Sequence, residues 1–129
     1  MREIMSPCPR LKAFVDGPVA RLVIDNPARR NAIDIAMWRA FPVLLEALAQ
    51  EPAVRVVVLG SASGPFSAGA DISEFATERA TPAGSRAYEA ENVRAFEALT
   101  QCPLPVIAAL RGHCFRAGSG LALPSALRL

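Results

Sequence analysis

Two short runs of small residues, Ala68-Gly69-Ala70 and Ala117-Gly118, carry the most chemical promise in the chain. Each follows an apolar stretch and leads towards residues suited to a helix N-terminus. A carbonyl group that becomes an enolate needs two amide N–H donors about 3 Å from its oxygen, because negative charge develops there. Backbone amides approach that closely only when their neighbours are small, and the first amides of a helix have no partner of their own. The same residues also permit close packing of a helix on a strand, so the two turns by themselves leave both readings open.

Other side chains divide in the same way. Asp71 follows the first turn, where a carboxyl group acts either as an acid or as a helix cap. His113, the only histidine, lies beside the second turn and fits a general base or a structural role. Arg29 and Arg30 form a cationic pair able to meet phosphate groups, or a solvated pair with no ligand. Cys8, Cys102 and Cys114 are odd in number and lack metal-type spacing, which predicts free thiols, mostly buried, in a reducing compartment.

The elements that must position these residues follow from periodicity. Residues 11–15 and 19–24 flank Asp16-Gly17, a dipeptide suited to a tight turn, and so form a β-hairpin. Asn26-Pro27 ends the second strand, and Asp34 is placed to cap a helix running from near 35 to about 50. Trp38, Phe41, Leu45 and Leu48 give that helix its buried stripe, and Pro42 predicts a kink. Residues 54–59, VRVVVL, read as a central strand covered on both faces. A Gly-, Ser- and Pro-rich loop at 60–65 then leads into the first small-residue turn, beyond a strand end where ligands often sit. Residues 77–85 predict a mobile loop, and 86–100 a helix with Tyr88, Phe96 and Leu99 inward. Cys102-Pro103-Leu104-Pro105 blocks further helix, and 106–110 predict a second buried strand before the second turn.

Composition bounds the rest. The 129 residues are 52% hydrophobic, enough for one domain with a core, and the net charge of +2 is spread without a block of one sign. Nucleic acid and membrane surfaces are therefore not expected partners. No apolar run reaches membrane-spanning length, and residues 1–10 lack the apolar stretch of a secretory signal, so a cytoplasmic location is expected.

Three stretches, taken in order and spacing, carry a resemblance. VARLVIDNPARRNAI (19–33), VRVVVLGSASGPFSAGADISEF (54–75) and CPLPVIAALRGHCFRAGSGLAL (102–123) are similar to successive signatures of the enoyl-CoA hydratase/isomerase, or crotonase, family. The resemblance implies an α/β, crotonase-like (ClpP/crotonase) spiral of ββα units, with residues 1–129 forming part of that domain and the C-terminal helical half absent. It implies an acyl-CoA thioester as ligand and an enolate held by the backbone N–H groups of Ala70 and Ala117. The coenzyme would lie against Arg29, Arg30 and Ala32 and along Ala68, Ala70, Asp71, Ile72 and Ser73, with Gly118 and Gly120 lining the second turn. Coenzyme A is part of the substrate, and no separate cofactor or metal is expected. The family's trimers and hexamers imply a homo-oligomer, or a mixed oligomer with a full-length relative.

The sequence also departs from the family pattern. Hydratases of the family use two glutamates. The first falls at Gly120, and the second about twenty residues on, beyond Leu129. Arg116 stands where the family has a glycine, and Leu123-Pro124-Ser125-Ala126 replaces the usual helix ending. The expectation is acyl-CoA binding with impaired or absent turnover in a truncated chain. The alternatives are a non-catalytic acyl-CoA-binding module and a fragment that pairs with a full-length relative.

Overall fold

The structure is a computed structural model that describes residues 1–62 and 80–109 and the backbone of residues 127–128. Its centre is one six-stranded sheet whose spatial order follows the chain: β1 (Arg2–Ile4), β2 (Leu11–Asp16), β3 (Val19–Ile24), β4 (Val56–Ser61), β5 (Val106–Ala108) and β6 (Leu127–Arg128). The first three strands are antiparallel neighbours, and β3 to β6 run parallel. Gly17, at φ +59°, provides the left-handed residue that the β2–β3 turn requires.

Helices α1 (Ile35–Ala49) and α2 (Pro82–Gln101) pack against each other and share one apolar core with the sheet. Alternation along the strands gives the sheet its inner face. Leu11, Ala13, Ala20, Leu22, Ile24, Val57, Leu59 and Ala108 are fully or almost fully buried there. Each fully buried Leu or Ile contributes about 1.5–3 kcal/mol relative to an exposed one. The opposite face is only partly covered: Phe14, Val23, Val56, Val58 and Ile107 are half-buried and Arg21 is exposed. That corrects the expectation of a central strand covered on both sides. The chain alternates full and partial burial along β4 even though every residue from Val56 to Leu59 is apolar.

α1 starts as expected, with the Asp34 carboxylate accepting the Met37 N–H at 2.9 Å. One helix spans Pro42, whose missing N–H removes the donor that would reach the Trp38 carbonyl. α2 begins at Pro82, four residues before the expected start, because Thr81 caps it by accepting the Gly84 N–H at 2.9 Å and a proline fits the first turn. The end of the expected loop, residues 82–85, is therefore helical. Residues 77–79 of it lie outside the described residues.

The two helices meet through aromatic contacts. The indole N–H of Trp38 donates to the Tyr88 hydroxyl at 3.2 Å, and Phe96 sets its ring edge-on to Trp38 with centroids 5.5 Å apart. Phe96 is only half-buried, and Ala95 takes the fully buried place beside it. β1 pairs with β2 and was not expected. Cys8 is buried and Cys102 half-buried, and both are free thiols, while Cys114 lies outside the described residues.

Candidate functional site

The chain between β3 and α1 is built to hold a fixed shape. A single 3-10 turn, Pro27–Arg29, follows Asn26, and Arg30 and Asn31 then both adopt left-handed backbone, at φ 54° and 58°. Non-glycine residues pay for that conformation, although asparagine tolerates it best. Around them the hydrogen bonds close on themselves. The Asn31 N–H donates to the Asn26 carbonyl at 2.8 Å, and the Asn26 N–H donates to the Asn31 Oδ1 at 2.9 Å. The Asn26 Nδ2 donates to the Ala32 carbonyl at 2.8 Å. Asn26 and Asn31 are the two buried polar side chains among the described residues, and Ala32 is buried with them.

Two ion pairs flank this turn. Arg10 Nε donates to Asp34 Oδ2 at 2.6 Å, and Lys12 Nζ donates to Asp25 Oδ2 at 2.8 Å. The hydrogen bond to the Asp25 carboxylate, and then that carboxylate's charge, hold Lys12 above the ordinary ammonium value. Arg29 and Arg30 project from the tip as exposed cations.

The second part of the site is the carboxyl edge of the parallel strands. Leu59 lies beside Ala108, and the Ala109 N–H donates to the Leu59 carbonyl at 2.8 Å. The Ala62 N–H donates to the Ile24 carbonyl at 2.9 Å, tying the segment after β4 to the end of β3. A Cβ built on Gly60 would stand 3.7 Å from that of Ala109, an ordinary contact, so the two chains run side by side as they leave the sheet. The 26–32 turn, the exit from β4 and the exit from β5 thus share one end of the sheet, where layered α/β folds bind ligands.

Of the residues singled out from sequence, Arg29, Arg30 and Ala32 fall within this description and come together on one turn. Ala68, Ala70, Asp71, Ile72, Ser73, Ala117, Gly118 and Gly120 lie outside the described residues, as do His113 and Arg116. Sequence reasoning missed the roles of Asn26 and Asn31. The available signal was a pair of asparagines bracketing a proline turn, residue types that bond locally to backbone. Two shallow grooves, about 240 and 280 Å³, flank Cys102 and Pro103. They lie at the opposite end of β5 from its carboxyl edge and are small for ligand sites. No cluster of metal-binding side chains occurs among the described residues, and no helix there is long and apolar enough to cross a membrane.

Comparison with known proteins matches residues 15–128 to the family described as enoyl-CoA hydratase/isomerase. A probable enoyl-CoA hydratase of Mycobacterium tuberculosis is 34% identical over 115 residues, covering 89% of this chain and 44% of its own length. A peroxisomal Delta(3,5)-Delta(2,4)-dienoyl-CoA isomerase of Arabidopsis thaliana is 30% identical over 121 residues, covering 86% and 44% respectively. Among solved structures, an enoyl-CoA hydratase/carnithine racemase from Magnetospirillum magneticum superposes with a TM-score of 0.91 at 32% identity. It covers 98% of this chain and 46% of that one. An enoyl-CoA hydratase/isomerase family protein from Hyphomonas neptunium gives 0.91 at 35% identity, covering 96% and 48%. The chain therefore has the crotonase fold and spans a little under half the length of these relatives.

Proposed function

We propose, given that the chain belongs to the enoyl-CoA hydratase/isomerase family, that it binds an acyl-CoA thioester and polarises its carbonyl with the backbone N–H groups of Ala70 and Ala117. The observation that carries this reading is the adjacency of β4 and β5. They are parallel neighbours bound by the Ala109 N–H at 2.8 Å from the Leu59 carbonyl, so the chain sets out for both small-residue turns from one edge. Two amide donors reached from one edge can serve one oxygen, and they act on charge that develops during reaction rather than on the resting thioester. Arg29 and Arg30, at the same end of the sheet, supply cations for the coenzyme's phosphates. Coenzyme A arrives as part of the substrate, and no further cofactor enters this reading.

Gly120 favours a binding role with weak or absent hydration, because the family's first catalytic glutamate would stand at that position. Without a carboxylate, nothing there takes or gives the proton that water addition requires. Self-association, with itself or with a longer relative, belongs to the same reading, as does a cytoplasmic setting. Relatives named as peroxisomal and mitochondrial make cell fractionation the measurement for the latter.

Calorimetry with crotonyl-CoA, paired with infrared difference spectra of the bound thioester, tests the proposal. Binding is expected, with the carbonyl stretch moved to lower frequency by the two donors and with affinity reduced about tenfold or more in Arg29→Gln/Arg30→Gln. No affinity for the thioester overturns the binding reading. Binding with an unshifted carbonyl overturns the donor pair.

A further inference from the structure

We infer that Asn31, supported by Asn26, is a positioning residue for coenzyme A recognition: it fixes the backbone from which Arg29 and Arg30 reach the ligand. The inference rests on the acyl-CoA reading above and deepens it.

The turn has an exposed tip and a buried root. At the root, Asn26 and Asn31 are 7% and 2% exposed. Burying two amides is costly unless their polar atoms find partners. Here the Asn31 Oδ1 takes the Asn26 N–H at 2.9 Å, and the Asn26 Nδ2 gives to the Ala32 carbonyl at 2.8 Å. With the backbone bond from the Asn31 N–H to the Asn26 carbonyl at 2.8 Å, the root is braced three times. At the tip, Arg30 sits at φ 54°, where an arginine is strained. A connection needed only to join β3 to α1 would take glycine there without strain. A strained residue persists where its surroundings over-determine it, and such positions concentrate at ligand clamps.

An exposed guanidinium on a braced backbone is placed to meet an anion. Binding a diphosphate with mobile arginines costs the ordering of both side chains and of the backbone that carries them. A fixed stem removes the backbone share of that cost before the ligand arrives. Asn31 touches no substrate in this account and acts only through the two arginines.

A double-mutant cycle tests it. Asn31→Gly keeps the left-handed backbone without strain and removes the side chain, the Oδ1 acceptor with it. Coenzyme A affinity is measured by calorimetry at fixed ionic strength in the wild type, Asn31→Gly, Arg29→Gln/Arg30→Gln, and the combination. Near-ultraviolet circular dichroism of Trp38 and Tyr88 checks that each variant is folded. Asn31→Gly is expected to weaken binding about tenfold in the wild-type background. With both arginines already replaced, it should do so less than about twofold. Unchanged affinity, or equal losses in the two backgrounds, overturns the positioning role and leaves the acyl-CoA reading standing. A wild type with no affinity for coenzyme A overturns both. Should Asn31→Gly fail to fold, Asn26→Ala, which removes the Nδ2 donor to Ala32, enters the same cycle with the same expected and overturning results.

Discussion

Asp34 performs two tasks with its two oxygens, and substitutions can separate them. Oδ1 accepts the Met37 N–H at 2.9 Å and closes the N-terminus of α1, while Oδ2 accepts Arg10 Nε at 2.6 Å and fastens the helix start to the chain before β2. An N-cap of this kind contributes about 1 kcal/mol. The ion pair is part-exposed, with Arg10 40% and Asp34 14% accessible. Solvent screening keeps its share to roughly 0.5–1 kcal/mol. Asp34→Ala removes both and should cost about 1.5–2 kcal/mol. Asp34→Asn keeps a capping oxygen and loses the charge, so it should cost about 0.5–1 kcal/mol. At about 4 °C per kcal/mol for a domain of this size, the melting temperatures fall by about 6–8 °C and 2–4 °C respectively. Thermal and urea unfolding followed by far-ultraviolet circular dichroism measure both. If Asp34→Asn is destabilised as much as Asp34→Ala, the cap contributes nothing. If it matches the wild type, the ion pair contributes nothing.

Two further outcomes follow from contacts already described. Tyr88→Phe strands the buried Trp38 indole N–H, so it should lose about 1–3 kcal/mol in urea unfolding and alter the emission of the chain's one tryptophan. An unchanged midpoint would show that this bond gives no net stability. Lys12 is held above 10.5 by Asp25, so the stability it contributes is fully present below that value and disappears as pH rises through the raised one. The melting-temperature gap between the wild type and Lys12→Met should therefore stay constant from neutral to mildly alkaline pH and close in strong alkali. A gap that persists there would mean the lysine acts through its stem and not its charge.

What sequence revealed depended on whether local chemistry or distant packing sets the outcome. The β2–β3 hairpin was legible because Asp16-Gly17 dictates its own geometry, and α1 because Asp34 and the Trp38–Leu48 stripe agree. β1 was not legible: Arg-Glu-Ile has no alternation to read, and only pairing with Ala13–Val15 makes it a strand. The start of α2 was hidden by composition, since Thr81-Pro82-Ala83-Gly84 resembles a loop until the Thr81 cap is recognised. Val54 is buried yet precedes the strand, because apolar character reports burial and not sheet pairing. At the site, the arginines were legible as charges, but the asparagine brace was not. Its meaning comes from hydrogen bonds across five residues and from backbone angles that composition does not encode.

The sheet's spatial order repeats its order along the chain, and that has a consequence for how the molecule can be assembled. Every described strand after the first lies beside the described strand before it, so the template for each addition precedes it in the chain. The early pairings are local, but β3–β4 and β4–β5 join residues 37 and 49 apart (Val19 with Val56, Val57 with Val106), so the loop-closure cost falls on the later, parallel part of the sheet. The β2–β3 ribbon is the natural seed, and damage there should impair everything laid down afterwards.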